Sequence, residues 1–422
     1  MGREQWTDAY LDAMRFEADP AADRVVDAVY ASHKLDGVNR MLMNMVRNTD
    51  PPPPEVQKQI EQYFVVNAKL PEWMEPAKVE LAEDLFSRHG MLATTILCCA
   101  SLPECYLDRA DVPVLSSTTQ LERHVYRRIW ETSHMVITVM QPGGMTPAPV
   151  TAPGVKPKRK PRAKPTDDDT AVPGEGIRCC LKVRLMHAAI RHLLLASDPP
   201  AGAPDEIGRA MAVQKWDRAS GEPINQESMA YVILTFSFVG LRGLDQFGAH
   251  PTQEEREAYI HAWSVVGHMM GVRDDLLARN FDDAQFLFEK MKRRRAGASK
   301  DGAALTKALL DWMAGVMPLG MKHVPKELLV QLVGNKDAAM LGVRLDTDEK
   351  TEEGMVAGFL HIFEHAFSRL MELPPARRAA EALFHAIVHR VWDMDKGWSR
   401  EEFALPPALQ KSWNVSRKEP VA

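Results

Sequence analysis

Residues 183–192 read VRLMHAAIRH and set one histidine between two arginines, in a run that otherwise has the pattern of a buried helix. Cations beside an imidazole disfavour its protonated form, and neutral imidazole is the form that ligates a metal. At about 100° per residue, Arg184, His187 and Arg191 lie within roughly 60° of one another on a helix. Leu181, Leu185, Ala188 and Leu195 flank that stripe. Guanidinium groups sunk in an apolar wall require anionic partners. A haem satisfies this arrangement: iron takes the imidazole, propionates take the guanidinium groups, and the porphyrin plane takes the apolar wall. From spacing alone, a core histidine beside structural salt bridges is the commoner outcome.

Further residues have spacings that could carry chemistry. In RRIWETSHMVITVMQPGG (127–144), Arg128 and Thr132 stand four apart, on one helical face, ahead of a glycine-rich exit. His261 and His268 are seven apart and read as satisfied core histidines. Near the C-terminus, HIFEH supplies His361, Glu364 and His365 in the order used by inverted zinc proteases, and His385 and His389 follow at i and i+4. A zinc metallohydrolase there needs a further carboxylate ligand and an open cleft, and helix-packing histidines explain the spacing as well.

The R-x-x-H-x-x-x-R block, the segment around Arg128 and Thr132, and the segment 221–277, in that order, resemble the family of rubber oxygenases (latex-clearing proteins) and MpaB-type oxygenases. The resemblance covers roughly residues 20–290. It implies that His187 is the proximal ligand of a non-covalently held haem b, with Arg184 and Arg191 beside it. It also implies that Arg128 and Thr132 face the other side of the haem. Rubber-cleaving members carry a lysine just before the threonine where this chain has Glu131, which points away from polymeric rubber. Glu131 becomes a candidate base for allylic proton abstraction. The implied reaction is dioxygen-dependent chemistry at a C=C bond of a hydrophobic small molecule, an isoprenoid among the candidates. A non-catalytic haem-binding or haem-sensing protein is the alternative that keeps His187 as ligand.

The elements that must position these residues are helices. Apolar residues recur at three- and four-residue spacing over most of the 422-residue chain, and alternating strand-like runs are scarce. The pattern predicts an all-α fold, a single large helical domain enclosing a b-type haem. Prolines in NTDPPPP, SDPPAGAPD and ELPPAR mark helix boundaries. The segment 141–176 is proline-rich, lacks aromatics and runs from a basic block into three aspartates, which predicts a disordered insertion. It divides the domain into 1–140, a haem-ligand part at 177–290 and a C-terminal helical part at 291–422.

A net charge of −5 and 45% hydrophobic residues describe an ordinary globular chain rather than a nucleic-acid binder. The basic blocks at 156–164 and 290–300 have no interleaved aromatics to stack on bases; the first reads as a solvated loop and the second as a helix C-terminus. Five cysteines include no C-x-x-C or C-x-x-C-H, so neither a zinc ribbon nor covalently attached haem is expected. The N-terminus lacks an apolar secretory core, and the longest apolar runs, from Gly90 and from Met229, are shorter than a membrane span. A cytoplasmic protein is the expectation.

Overall fold

The computed structural model describes residues 3–44, 56–117, 125–146, 174–195, 216–316 and 322–345. Among these residues every extended regular element is helical, and the β contact between Asp108 and Ala296 is an isolated bridge. The all-α expectation holds.

The run from Met229 becomes the central helix of the core. Three helices lead the chain in: α1 (Asp8–Met14), the long α2 (Pro20–Asn44) and α3 (Gln57–Asn67). Then α4 (Pro76–Ile96) gives way to a π turn at Leu97–Ser101, followed by α5 (Leu102–Tyr106) and α6 (Val112–Ser117). Next come α7 (Val125–Met140), α8 (Glu175–Leu195), α9 (Gln226–Gln246), α10 (Gln253–Met269) and α11 (Phe281–Arg295). The described chain finishes with α12 (Lys300–Val316), α13 (Val324–Val333) and α14 (Asn335–Met340). Helix α9 packs on α10 and α11, α10 packs on α4, and α8 is held between α2 and α7.

Local chemistry sets the helix ends. Asn225 caps α9 by accepting from Ser228 N, and Thr252 and Glu255 form a reciprocal capping box at the start of α10. Helix α11 has Asp282 and Asp283 in its first turn and Lys292 to Arg295 in its last, matching its dipole at both ends. That accounts for the basic block at 290–300, except that Arg295 is buried and meets Asp108, Asp111 and Glu227.

Two expectations need correction. The apolar run from Gly90 is not one regular helix: α4 bends at His89 (φ −116°, ψ 17°) and widens at Leu97. Pro103 has no amide to continue the α-helical ladder, and Leu102 N instead donates to Leu97 O, five residues back. The ends of the 141–176 segment belong to the fold. The turn Gln141–Thr146 buries Met145, and Gly174 and Gly176 donate backbone hydrogen bonds to Gly143 O and Gly144 O at 3.3 and 2.9 Å. Residues 147–173 lie outside the described residues.

Candidate functional site

Helix α8 carries the candidate ligand, and its neighbours fix the direction in which that ligand faces. A Cβ on Gly176 would lie 2.7 Å from Gly144 O and 3.0 Å from Val139 Cα, so this side of α8 lies directly against the end of α7. His187 follows eleven residues later, within about 20° of the same side. The end of α7 meets the start of α8 and the two helices pack together, so they run in opposite directions. Counting about 1.5 Å per residue from the Val139–Gly176 contact, His187 and the backbone of Arg128 are both about 16 Å along, at one level.

His187 is half-buried, its Nδ1 is shielded from solvent, and Cys180, Val183 and Ile190 share its side of α8 within about 60°. Thr132 is half-buried on α7. Arg128 and Glu131 lie on the described backbone of α7, but their side chains lie outside the described residues.

The anions that the two arginines require come from the chain itself. Arg184 Nε pairs closely with Asp19 Oδ2, and its Nη2 donates to Asp19 Oδ1 at 2.7 Å. Arg191 donates to Asp23 Oδ1 through Nε at 2.9 Å and Nη2 at 2.7 Å, and through Nη1 to Ile224 O at 2.9 Å. The expectation that propionates satisfy these guanidinium groups therefore gives way to aspartates at the start of α2. The charge argument for a neutral His187 changes too, because each flanking cation is cancelled by its own carboxylate; the partly buried, apolar setting of the imidazole now carries that argument. Burial works against the charge of Arg184, but Asp19 outweighs it and holds its pKa above the usual value. Burial, ahead of the opposing pull of Arg191, raises the Asp23 carboxyl.

Asp19 and Asp23 were missed in reading the sequence, although Asp19, Asp23 and Asp27 stand at four-residue spacing there. Glu83 was also missed. It is buried on α4, accepts from Gly143 N at 3.0 Å, and has its pKa raised to about 7 by burial. Its Oε1, with Thr138 Oγ1 and Gln141 Nε2, is buried without a hydrogen-bond partner among the described residues. One turn along α7 from Thr132, Val136 borders a small cavity of about 20 Å³ shared with Phe86, Leu97, Phe236 and Trp263.

His261 and His268 are structural. His261 is buried and accepts from Glu75 N at 2.9 Å through Nε2, capping α4, and burial lowers its pKa to about 4. His268 Nδ1 meets Asp274 Oδ1 at 2.6 Å. The zinc candidates His361, Glu364, His365, His385 and His389 lie outside the described residues.

The fold matches a solved structure of latex clearing protein in the closed state, with a TM-score of 0.63 at 19% identity over 88% of this chain and 90% of that one. In sequence, the chain is 23% identical over 301 residues to a rubber oxygenase of Streptomyces sp. (strain K30), covering 70% of this chain and 63% of that relative. The chain thus spans less than two thirds of that relative's length. The family described as "ER-bound oxygenase mpaB/B'/Rubber oxygenase, catalytic domain" matches residues 88–392, a span that takes in α7 and α8 together. Having this catalytic-domain pattern over most of its length, the chain belongs to the mpaB/B' and rubber oxygenase family.

Proposed function

We propose that the protein is a haem b-dependent oxygenase acting on C=C bonds of a hydrophobic, isoprenoid-class substrate. The observation that carries this reading is the half-buried His187 on the side of α8 that faces α7, at the level of Arg128, in a chain of an oxygenase family. These residues would fit a haem held through the His187 imidazole, with Cys180, Val183 and Ile190 within about 60° of His187 on the same side of α8. When bound, haem supplies dioxygen binding and activation, which a single histidine ligand leaves room for.

The chain's own groups do the rest. His187 Nε2 or Nδ1 binds as the neutral imidazole, held between two ion pairs that keep its helix in place. Thr132 can donate a hydroxyl hydrogen bond, and Arg128 offers a fixed positive charge where negative charge develops. Glu131 serves as the acceptor for an allylic proton of the substrate. A lysine at its position would be a cation instead, and this difference favours a small or medium hydrophobic molecule over polymeric rubber.

The test is the absorption spectrum of the full chain expressed with haem precursor, as isolated, reduced with dithionite, and then exposed to carbon monoxide. The expected result is a Soret band that shifts with carbon monoxide and is absent in His187→Ala, with helical circular dichroism retained. A colourless wild type, or a His187→Ala variant with its full haem content, overturns the reading. Arg128→Ala and Thr132→Ala are expected to keep haem and lose oxygen uptake with isoprenoid alkenes by about 10²-fold. Unchanged turnover would remove both from the site.

A further inference from the structure

We infer that Asp19, immediately before α2, and Asp23 and Asp27 in its first turns form a positioning ladder that sets the pose of His187. The inference rests on the reading of His187 as haem ligand.

The three aspartates stand four apart, Asp19 at the entry to α2 and Asp23 and Asp27 on it, and engage three partners on α8, namely Arg184, Arg191 and His192. From Asp19 to Asp27 is eight residues, about 12 Å of helix, and from Arg184 to His192 is the same length. The helices therefore run in the same direction and in register. His187 falls between the first two rungs along the axis of α8, so the helix can neither slide nor turn about the ligand without breaking one of them. A rotation of roughly 20° would carry a ring at the helix rim by about 2 Å, enough to take a ligand off its metal.

The rungs differ in depth. The side chain of Asp19 is 3% exposed and that of Arg191 is 3% exposed, whereas Asp27 is 64% exposed. The first rung is closed from a third side. Gly271 has φ +88°, and a Cβ there would lie 2.6 Å from both Arg184 Nε and Asp19 Oδ2. Gln226 ties this wall together by donating to Ala18 O and Gly271 O at 2.8 and 2.9 Å and accepting from Arg273 N at 2.9 Å. Buried ion pairs are a poor means of gaining stability compared with apolar packing, and their directional, bidentate geometry is what they add. The carboxylates also cancel two positive charges beside the ligand, so losing one leaves a cation that favours ferrous over ferric iron.

The experiment compares the full-length haem protein with Asp19→Asn, Asp23→Asn and the double variant. Glu17→Gln, which breaks an exposed pair with Arg273, is the control. The measurements are haem transfer to apomyoglobin, the ferric electron paramagnetic resonance spectrum and the midpoint potential. Haem loss at least tenfold faster, altered ferric g values and a raised potential are expected for the asparagine variants, with none of these in the control. Asp19→Glu and Asp23→Glu keep the charge; they are expected to fold, hold the wild-type potential and still show altered g values, because the longer arm displaces α8. If the asparagine variants do not fold, the glutamate variants decide. Folded variants with wild-type haem loss, spectrum and potential would overturn the ladder while leaving the haem reading intact. A wild type that binds no haem would instead overturn the haem reading, and the ladder with it.

Discussion

At the residue scale, two buried groups should bend the stability curve in opposite directions. His261 has its pKa lowered to about 4, so the unfolded state binds more protons between about pH 4 and pH 6.5. Its contribution is complete above that window and is lost as pH falls through it, because protonated Nε2 can no longer accept from Glu75 N. Glu83 has its pKa raised to about 7, so the folded state holds the extra proton. Its contribution is present below about pH 4.5 and is lost as pH rises through about 7. Each effect is worth at most about 3 kcal/mol. Urea unfolding from pH 4 to pH 8 is expected to show a shallower acid limb in His261→Phe and a shallower alkaline limb in Glu83→Gln. Unchanged limbs would mean that these groups are solvated.

At the element scale, the contact between α7 and α8 depends on Gly176, where an added Cβ would meet Gly144 O and the Val139 backbone. Backbone cannot move aside as a flexible side chain can, so Gly176→Ala is expected to cost about 1–3 kcal/mol in urea unfolding. A neutral result would show that the helices part at little cost. Much about these elements was legible in the sequence. Helical periodicity is local, so α8, α9 and α10 could be read from spacing alone, and the motif around His187 is contained within one helix. The partners of Arg184 and Arg191 were not legible, because Asp19 and Asp23 lie about 165 residues away and only packing selects one carboxylate among many. The π turn at Leu97 was masked by an apolar run that reads as an unbroken helix, although Pro103 gave a local signal. The charge argument at His187 erred for the same reason as the partner assignment: it considered two cations without the anions that the fold brings to them.

At the scale of the whole molecule, Arg295 joins distant parts of the chain. It donates to Glu227 Oε2 on α9 at 2.8 Å and to Asp111 Oδ2 before α6 at 2.8 Å, and it meets Asp108 at 2.7 Å. Burial, with the charge of Asp108 adding to it, raises the Asp111 pKa to about 7. Arg295→Met would strand these carboxylates in the interior, at an expected cost of about 3–5 kcal/mol at pH 8. Thermal unfolding should show the loss shrinking as pH falls, because without the Arg295 charge the buried Asp111 carboxyl takes up its proton at a higher pH than in the wild type. A loss independent of pH would assign the role of Arg295 to packing alone.

The hydrogen bond from Gly174 N to Gly143 O, with Gly176 N on Gly144 O beside it, brings together the two described stretches of chain that flank positions 147–173. The cost of closing a chain between two fixed ends grows only slowly with its length. Replacing residues 148–172 with a short glycine linker should therefore leave the thermal midpoint unchanged, and loss of folded protein would refute this. The same doorway could admit far more than it now carries. A foreign folded module with neighbouring termini, spliced in at this point, would ride on the helical body as a passenger, so the position is a natural socket for a reporter or a tether.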